Sequence, residues 1–314
     1  MEHFRIHGTA RAVCWLAFVI GVGVYGAGPR EARAQLPPAV ATIGPIRLSS
    51  QPEIDAGFRL LYELKFPEAR GVFQDWGNRH PGEALGPAAE AAGYLFQIFD
   101  HQGVLTSEFF LDDKRLLGGI EGTPDPEMRD SFEAAVEKAR ELAHARLKSD
   151  PQNADALFAL TMATGMLADY SSLIEKRQIE SLRLTREADN VAKNLLAVAP
   201  SAADAYVALG AANYILGCLP AYKRFLIRFG GFHGDRALGM QQLALTAAHG
   251  HYLRPYAKLT LGLAAMREKQ WDLARGQFEQ LVAEFPGNAK FARELAKLRA
   301  RGPVIGPESG RGTR

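Results

Sequence analysis

Four stretches of this sequence bring together residue types that can do chemistry. His249 and His251 in HGHY offer two imidazoles to a metal. No carboxylate or cysteine stands at ligand spacing beside them, so the pattern predicts a polar turn between helices. Asp112 and Asp113 in FFLDDKR suggest a carboxylate pair. Adjacent residues on a helix do not face each other, and Lys114 and Arg115 follow directly, so a solvated charge cluster is expected. LLGGIEGT is glycine-rich but lacks the Lys-Ser/Thr that phosphate cradling needs, and no G-x-S-x-G is present. The fourth stretch, CLPAYKRFLIRFGGFHGDR from Cys218 to Arg236, interleaves basic and aromatic residues and holds no acid before Asp235. It can be a membrane-surface helix, a nucleic-acid patch or an ordinary packed helix. Its Cys218, a lone thiol in apolar surroundings, reads as a small packing residue rather than a nucleophile. None of these stretches supplies a catalytic, metal-binding or cofactor-binding set, so no enzymatic activity is expected.

The elements that must carry these residues are bounded by composition. The chain has 314 residues, 47% hydrophobic and 23% charged, enough for a large core. Its formal charge of +2 comes entirely from residues 1–34, where Arg5, Arg11, Arg30 and Arg33 oppose Glu2 and Glu31. The remainder is formally neutral, which argues against binding a phosphate backbone. Arg5, His7 and Arg11 precede the apolar run AVCWLAFVIGVGVYGA, and Ala32-Arg33-Ala34 forms an A-x-A site before Gln35. These are the parts of a secretory signal; the rival reading is an uncleaved anchor. With the signal removed, no spanning segment is expected, Cys218 is left alone without an internal disulfide, and the protein lies in the periplasm or cell envelope. Residues 35–52 read as a proline- and serine-rich linker, and 302–314 as a disordered tail.

Residues 53–301 read as helical throughout, and they repeat. Ala69, Phe73 and Pro81 in ARGVFQDWGNRHP match Ala274, Phe278 and Pro286 in ARGQFEQLVAEFP as A-x3-F-x7-P. Weaker copies are Ala139, Ala143 and Pro151, and Ala188, Ala192 and Pro200. Tyr206, Leu209 and Gly210 in YVALG, with Leu261 and Gly262 in LTLGLAAM, carry the other half of the pattern. This resembles the tetratricopeptide repeat (TPR), a helix hairpin of roughly 34 residues. In that repeat a small residue lets the two helices approach, an aromatic fills the gap toward the next hairpin, and proline ends the second helix. The resemblance implies an all-α, TPR-like right-handed superhelix of about five hairpins. They fall near 53–81, 85–151, 154–200, 203–249 and 255–286, with a closing helix at 288–301. Two insertions interrupt them: HQGVLTSEFFLDDKRLLGGIEGT in the second hairpin and the Cys218–Arg236 stretch in the fourth. GFHGDRALGMQQL is similar to an element of the eukaryotic inclusion-body-clearance TPR family. With ADYSSLIEKR and HGHYLRPYAKL it also resembles secreted bacterial TPR proteins. Neither likeness brings catalytic residues; the first implies the fold and lipid-associated biology.

In TPR folds the first helix of each hairpin lines the concave surface. That register places Leu95, Phe96, Phe158, Met162, Met166, Val207, Tyr214, Tyr256, Leu263 and Met266 there, an apolar lining. The basic clamp of chaperone-tail TPR domains is missing, since Asp155 and Asp204 hold the outer groove positions. An apolar groove must be covered by an amphipathic partner helix, an apolar small ligand or the chain's own insertions. In the second insertion Tyr222, Phe225, Leu226 and Phe229 recur at i, i+3, i+4 and i+7. Tyr222, Phe225 and Phe229 are expected to pack inward, with Lys223, Arg224 and Arg228 at the surface or paired with acids. Two functions follow: a scaffold holding a protein partner in its groove or on its insertions, or a periplasmic accessory protein binding an apolar small molecule or lipid, like the TPR components of some transporters. An enzyme would need convergent histidines and carboxylates in a pocket.

Overall fold

Proline, asparagine and aspartate punctuate the chain into helices. A computed structural model describes residues 48–301, so the expected signal, most of the linker and the tail lie outside the described residues. Fourteen α-helices follow, and no strand occurs among the described residues. The first hairpin pairs α1 (Pro52–Tyr62) with α2 (Phe66–Arg79). The second pairs α3 (Leu85–His101) with α6 (Pro126–Ser149), and the short α4 (Ser107–Phe110) and α5 (Asp113–Gly118) lie between them. The third joins α7 (Ala154–Leu173) to α8 (Gln178–Val198). In the fourth, α9 (Tyr206–Cys218) pairs with α11 (Arg236–His249) around the inserted α10 (Ala221–Phe229). The fifth pairs α12 (Arg254–Arg267) with α13 (Trp271–Glu284), and α14 (Ala289–Ala300) closes the chain.

Local chemistry explains the boundaries. Prolines stand in the first turn of α1, α2, α6 and α12, where the missing N–H is no loss. Side chains of Asn153, Asp235 and Asn288 accept the orphan N–H groups that open α7, α11 and α14. Pro81, Pro151, Pro200 and Pro286 each stand just beyond the second helix of a hairpin, which cannot continue through them. The tight turns of hairpins one, three and five all place a non-glycine residue in the left-handed region, at Leu64, Lys176 and Lys269. Hairpins one and five share one turn geometry, in which the N–H after the left-handed residue bonds back five positions (Lys65 to Leu60, Gln270 to Ala265), whereas in hairpin three Arg177 reaches back six to Ser171.

The repeat residues pack as a unit. Ala69, Phe73, Ala274 and Phe278 are fully buried. The aromatic also packs within its own hairpin. A Cβ on Gly57 would overlap the Phe73 ring, and one on Gly262 would lie 2.9 Å from Phe278 Cε2. Glycine on the first helix is therefore the socket and phenylalanine on the second is the knob.

The stack of hairpins does not end in the open. Tyr62 Oη in α1 donates to the carbonyl of Tyr252 at 3.0 Å, and Asn288 Nδ2 donates to the carbonyl of Tyr62 at 2.8 Å. Ring centroids of Tyr62 and Phe285 lie 5.5 Å apart, and those of Phe58 and Tyr252 5.3 Å apart. The first insertion serves as a wedge in the same closure. Arg267 Nη1 donates to the carbonyl of Phe110 at 2.8 Å, and Lys297 pairs with Glu108 at 2.6 Å. The last hairpin and α14 thus return onto the first two hairpins.

Candidate functional site

The predicted groove residues converge, but on one another. Leu95, Phe158, Met162, Val207, Tyr214, Leu263 and Met266 are buried, while Phe96, Met166 and Tyr256 keep partial exposure. Phe158 stacks on Tyr252 with centroids 5.8 Å apart, and Phe96 lies 5.4 Å from Tyr256 and 5.8 Å from Tyr62. Tyr214 Oη bonds the carbonyl of Ala264 at 3.3 Å and Glu268 at 3.2 Å. The concave face is thus occupied by the protein's own aromatic side chains, brought together when the last hairpin closes on the first.

One ionisable group sits within this face. Asp169 stands seven residues after Met162 and three after Met166, so it shares their side of α7. Protein surrounds it densely, though water still reaches it. Burial raises its pKa to about 7, and no cation or hydrogen-bond donor offsets that rise. Burial also raises the pKa of Tyr256, and the nearby Asp169 charge adds to the rise. The sequence carried a signal for Asp169, an acid at groove spacing directly after the small and apolar run TMATGMLA, but helical spacing alone does not show which side the chain will bury.

The other constellations have structural roles. His251 Nε2 lies 2.6 Å from Asp55 and its ring stacks on Tyr252, so HGHY joins α11 to α12 and touches α1. Asp204 is buried and accepts the backbone N–H groups of His251 and Leu253, both at 2.8 Å. Asp155 accepts the N–H of Ser49 at 2.9 Å and its hydroxyl at 2.6 Å. The two outer acids therefore pin chain segments instead of facing a partner. Asp112 caps α5, and Asp113 pairs with Arg267. Burial raises the pKa of Cys218, disfavouring its thiolate. No group of three or more His, Cys, Asp or Glu able to hold a metal occurs among the described residues.

The second insertion reverses its expected orientation. Pro220 precedes α10, and Gly230 with left-handed Gly231 ends it. Tyr222, Phe225 and Phe229, expected to pack inward, are 65%, 60% and 79% exposed, and Leu226 beside them is 63% exposed. The inward side of the helix is held by Arg224 and Ile227 instead, both partly buried, and Arg224 Nη1 donates to the carbonyl of Gly217 at 3.1 Å. The reason is spatial. Gly217, Gly234 and Gly239 bring α9, α11 and the stretch of chain between them into backbone contact, leaving no slot for four large side chains. Arg228 and Lys223 are exposed. Phe225 and Phe229 touch each other edge to face, with centroids 5.1 Å apart.

Stacked antiparallel hairpins with a small-residue socket, an aromatic knob and a terminal proline define a TPR-like protein, a fold suited to binding rather than to one chemistry. No protein-family model matches the chain. No curated protein matches it either. Among solved structures it is similar to a thermophilic TPR protein of Thermus thermophilus, with 13% identity over 80% of this chain and all of that one, at a TM-score of 0.44. The fold assignment rests on the hairpins themselves. No helix among the described residues is long and apolar enough to cross a membrane.

Proposed function

We propose that this chain is an exported, non-enzymatic scaffold that engages its partner through the inserted helix α10 and not through its concave face. The observation that carries the reading is the outward stripe of Tyr222, Phe225, Leu226 and Phe229 on a helix with no buried residue. An exposed apolar patch of this kind marks an interaction site. The groove reading is weakened by the mutual packing of Phe96, Phe158, Tyr252 and Tyr256. The same packing disfavours an apolar ligand bound beside Phe158, Met162 and Tyr214. Export is supported by the charged start, apolar run and A-x-A site of residues 1–34.

A photocrosslinking amino acid at Phe229, at Met166 in the concave face and at exposed Lys138 on α6 tests the docking element in the native cell. An adduct is expected at Phe229 and none at the other two. Adducts at Met166 with none at Phe229 would return the function to the groove. Export has its own readout, an intact mass beginning at Gln35; a chain retaining Met1 would refute cleavage.

A further inference from the structure

The inserted helix presents one face that is apolar and edges that are cationic. On a helical projection Tyr222, Phe225, Leu226 and Phe229 form the outward stripe, Lys223 and Arg228 flank it on opposite sides, and Arg224 points back to the body. No carboxylate occurs from Cys218 to Gly234. Neither Lys223 nor Arg228 takes part in an ion pair among the described residues, whereas Arg183 pairs with Glu180 and Arg236 with Glu268. Behind the helix lies a cleft of about 370 Å³ whose lining includes Arg224, Arg228, Phe232 and His233. The helix is fixed from below. Arg186 on α8 bonds the carbonyl of Gly230, and its guanidinium lies 4.1 Å from the Phe232 ring centroid.

We infer that α10 is an interfacial membrane anchor that docks on an anionic lipid surface. This inference rests on α10 being the docking element. Aromatic and leucine side chains enter the boundary between headgroups and acyl chains to a depth of about 5–10 Å. Lys223 and Arg228 then lie level with the headgroups, their stems along the apolar face and their charges toward phosphate. Because the chain beyond residue 34 is formally neutral, these unpaired cations are not part of a general basic field. A protein partner fits less well: a stable interface buries about 800 Å² on each side, and a nine-residue helix offers only four apolar side chains. A single short amphipathic helix gives reversible attachment, consistent with the absence of a spanning helix among the described residues.

Flotation of the full chain with vesicles tests this. The wild type, a Phe225→Ser/Phe229→Ser variant and a Lys223→Gln/Arg228→Gln variant share residues 1–34, so differences between them report α10 alone. No residue of α10 is buried, so all three should melt at the same temperature. The wild type should bind vesicles of phosphatidylethanolamine with phosphatidylglycerol about 25-fold better than phosphatidylcholine vesicles, an advantage that shrinks with added salt. The serine variant should lose about a hundredfold on both. The glutamine variant should lose about fivefold per removed charge on the anionic vesicles only. Equal binding by all three chains would overturn the inference. So would a protein-only adduct at Phe229 with no preference for anionic vesicles, although docking through α10 would then stand. No adduct at Phe229 would remove the docking reading itself.

Discussion

At the scale of single residues, two positions show opposite relations between side chain and surroundings. Asp169 is a carboxyl with nothing to stabilise its charge, and burial holds its pKa at about 7 against an ordinary value of 3.8. Between about pH 4 and pH 7 the folded chain keeps a proton that the unfolded chain has released, so stability falls as pH rises through that window. Above pH 7 the penalty is complete. Asp169→Asn should therefore stabilise the fold at pH 8 by something on the order of 2 kcal/mol, reduced by the solvent that reaches the group. At pH 4 the two proteins should melt together. A constant difference across the pH range would show that the gain comes from packing. Gly57 is the converse, a position where nothing may be added. Gly57→Ala places a methyl in the Phe73 ring, which is fully buried and cannot swing aside. Overpacking costs about 1–3 kcal/mol, and the rigid ring puts this site at the upper end, beyond the ~1 kcal/mol alanine contributes to a helix. Denaturant melts should show a net loss; a gain would mean that the hairpin opens freely.

At the scale of elements, the sequence was most legible where local rules act. The proline-ended copies located hairpins one, two, three and five to within a few residues, and YVALG placed the fourth, since proline and close-packed small residues act over one helix turn. The Asp235 cap of α11 and the Gly230-Gly231 stop of α10 are local signals of the same kind. The orientation of α10 could not. A period of i, i+3, i+4, i+7 fixes that one face is apolar, but not whether a neighbour exists to receive it. That depends on how closely α9 and α11 approach at Gly210 and Gly239, a tertiary fact. The shared left-handed turn gives a further test at this scale. Lys269→Gly relieves a conformation unfavourable to side chains by about 1–2 kcal/mol, while glycine loosens the unfolded chain by about 0.4–1 kcal/mol. A net gain of about 0.5 kcal/mol is expected from the difference between those ranges. A loss on thermal melting would mean that the Lys269 side chain contributes contacts of its own.

At the scale of the whole molecule, closure distinguishes this chain from an open stack, and it was illegible because it depends on contacts about 200 positions apart, such as Tyr252 with Gln51. Tyr252 is the hub. Its hydroxyl accepts from the N–H of Gln51 and donates to the carbonyl of Ser49, both at 3.1 Å, while its ring packs against Phe58 and Phe158. In an open solenoid each hairpin meets only its neighbours, so damage at one end leaves the other protected. Here the first hairpin also leans on the fifth, through Tyr62, Phe285 and Asn288. Tyr252→Ala should cost about 3–5 kcal/mol and raise amide exchange in α1 and α2 as much as in α12. Tyr252→Phe keeps the rings and removes only the tie to residues 49–51, so it should expose that segment and the start of α1 while leaving α12 protected. Exchange confined to α11 and α12 in the alanine variant would show that the two ends fold independently, and the concave face would then be free to open to a partner after all.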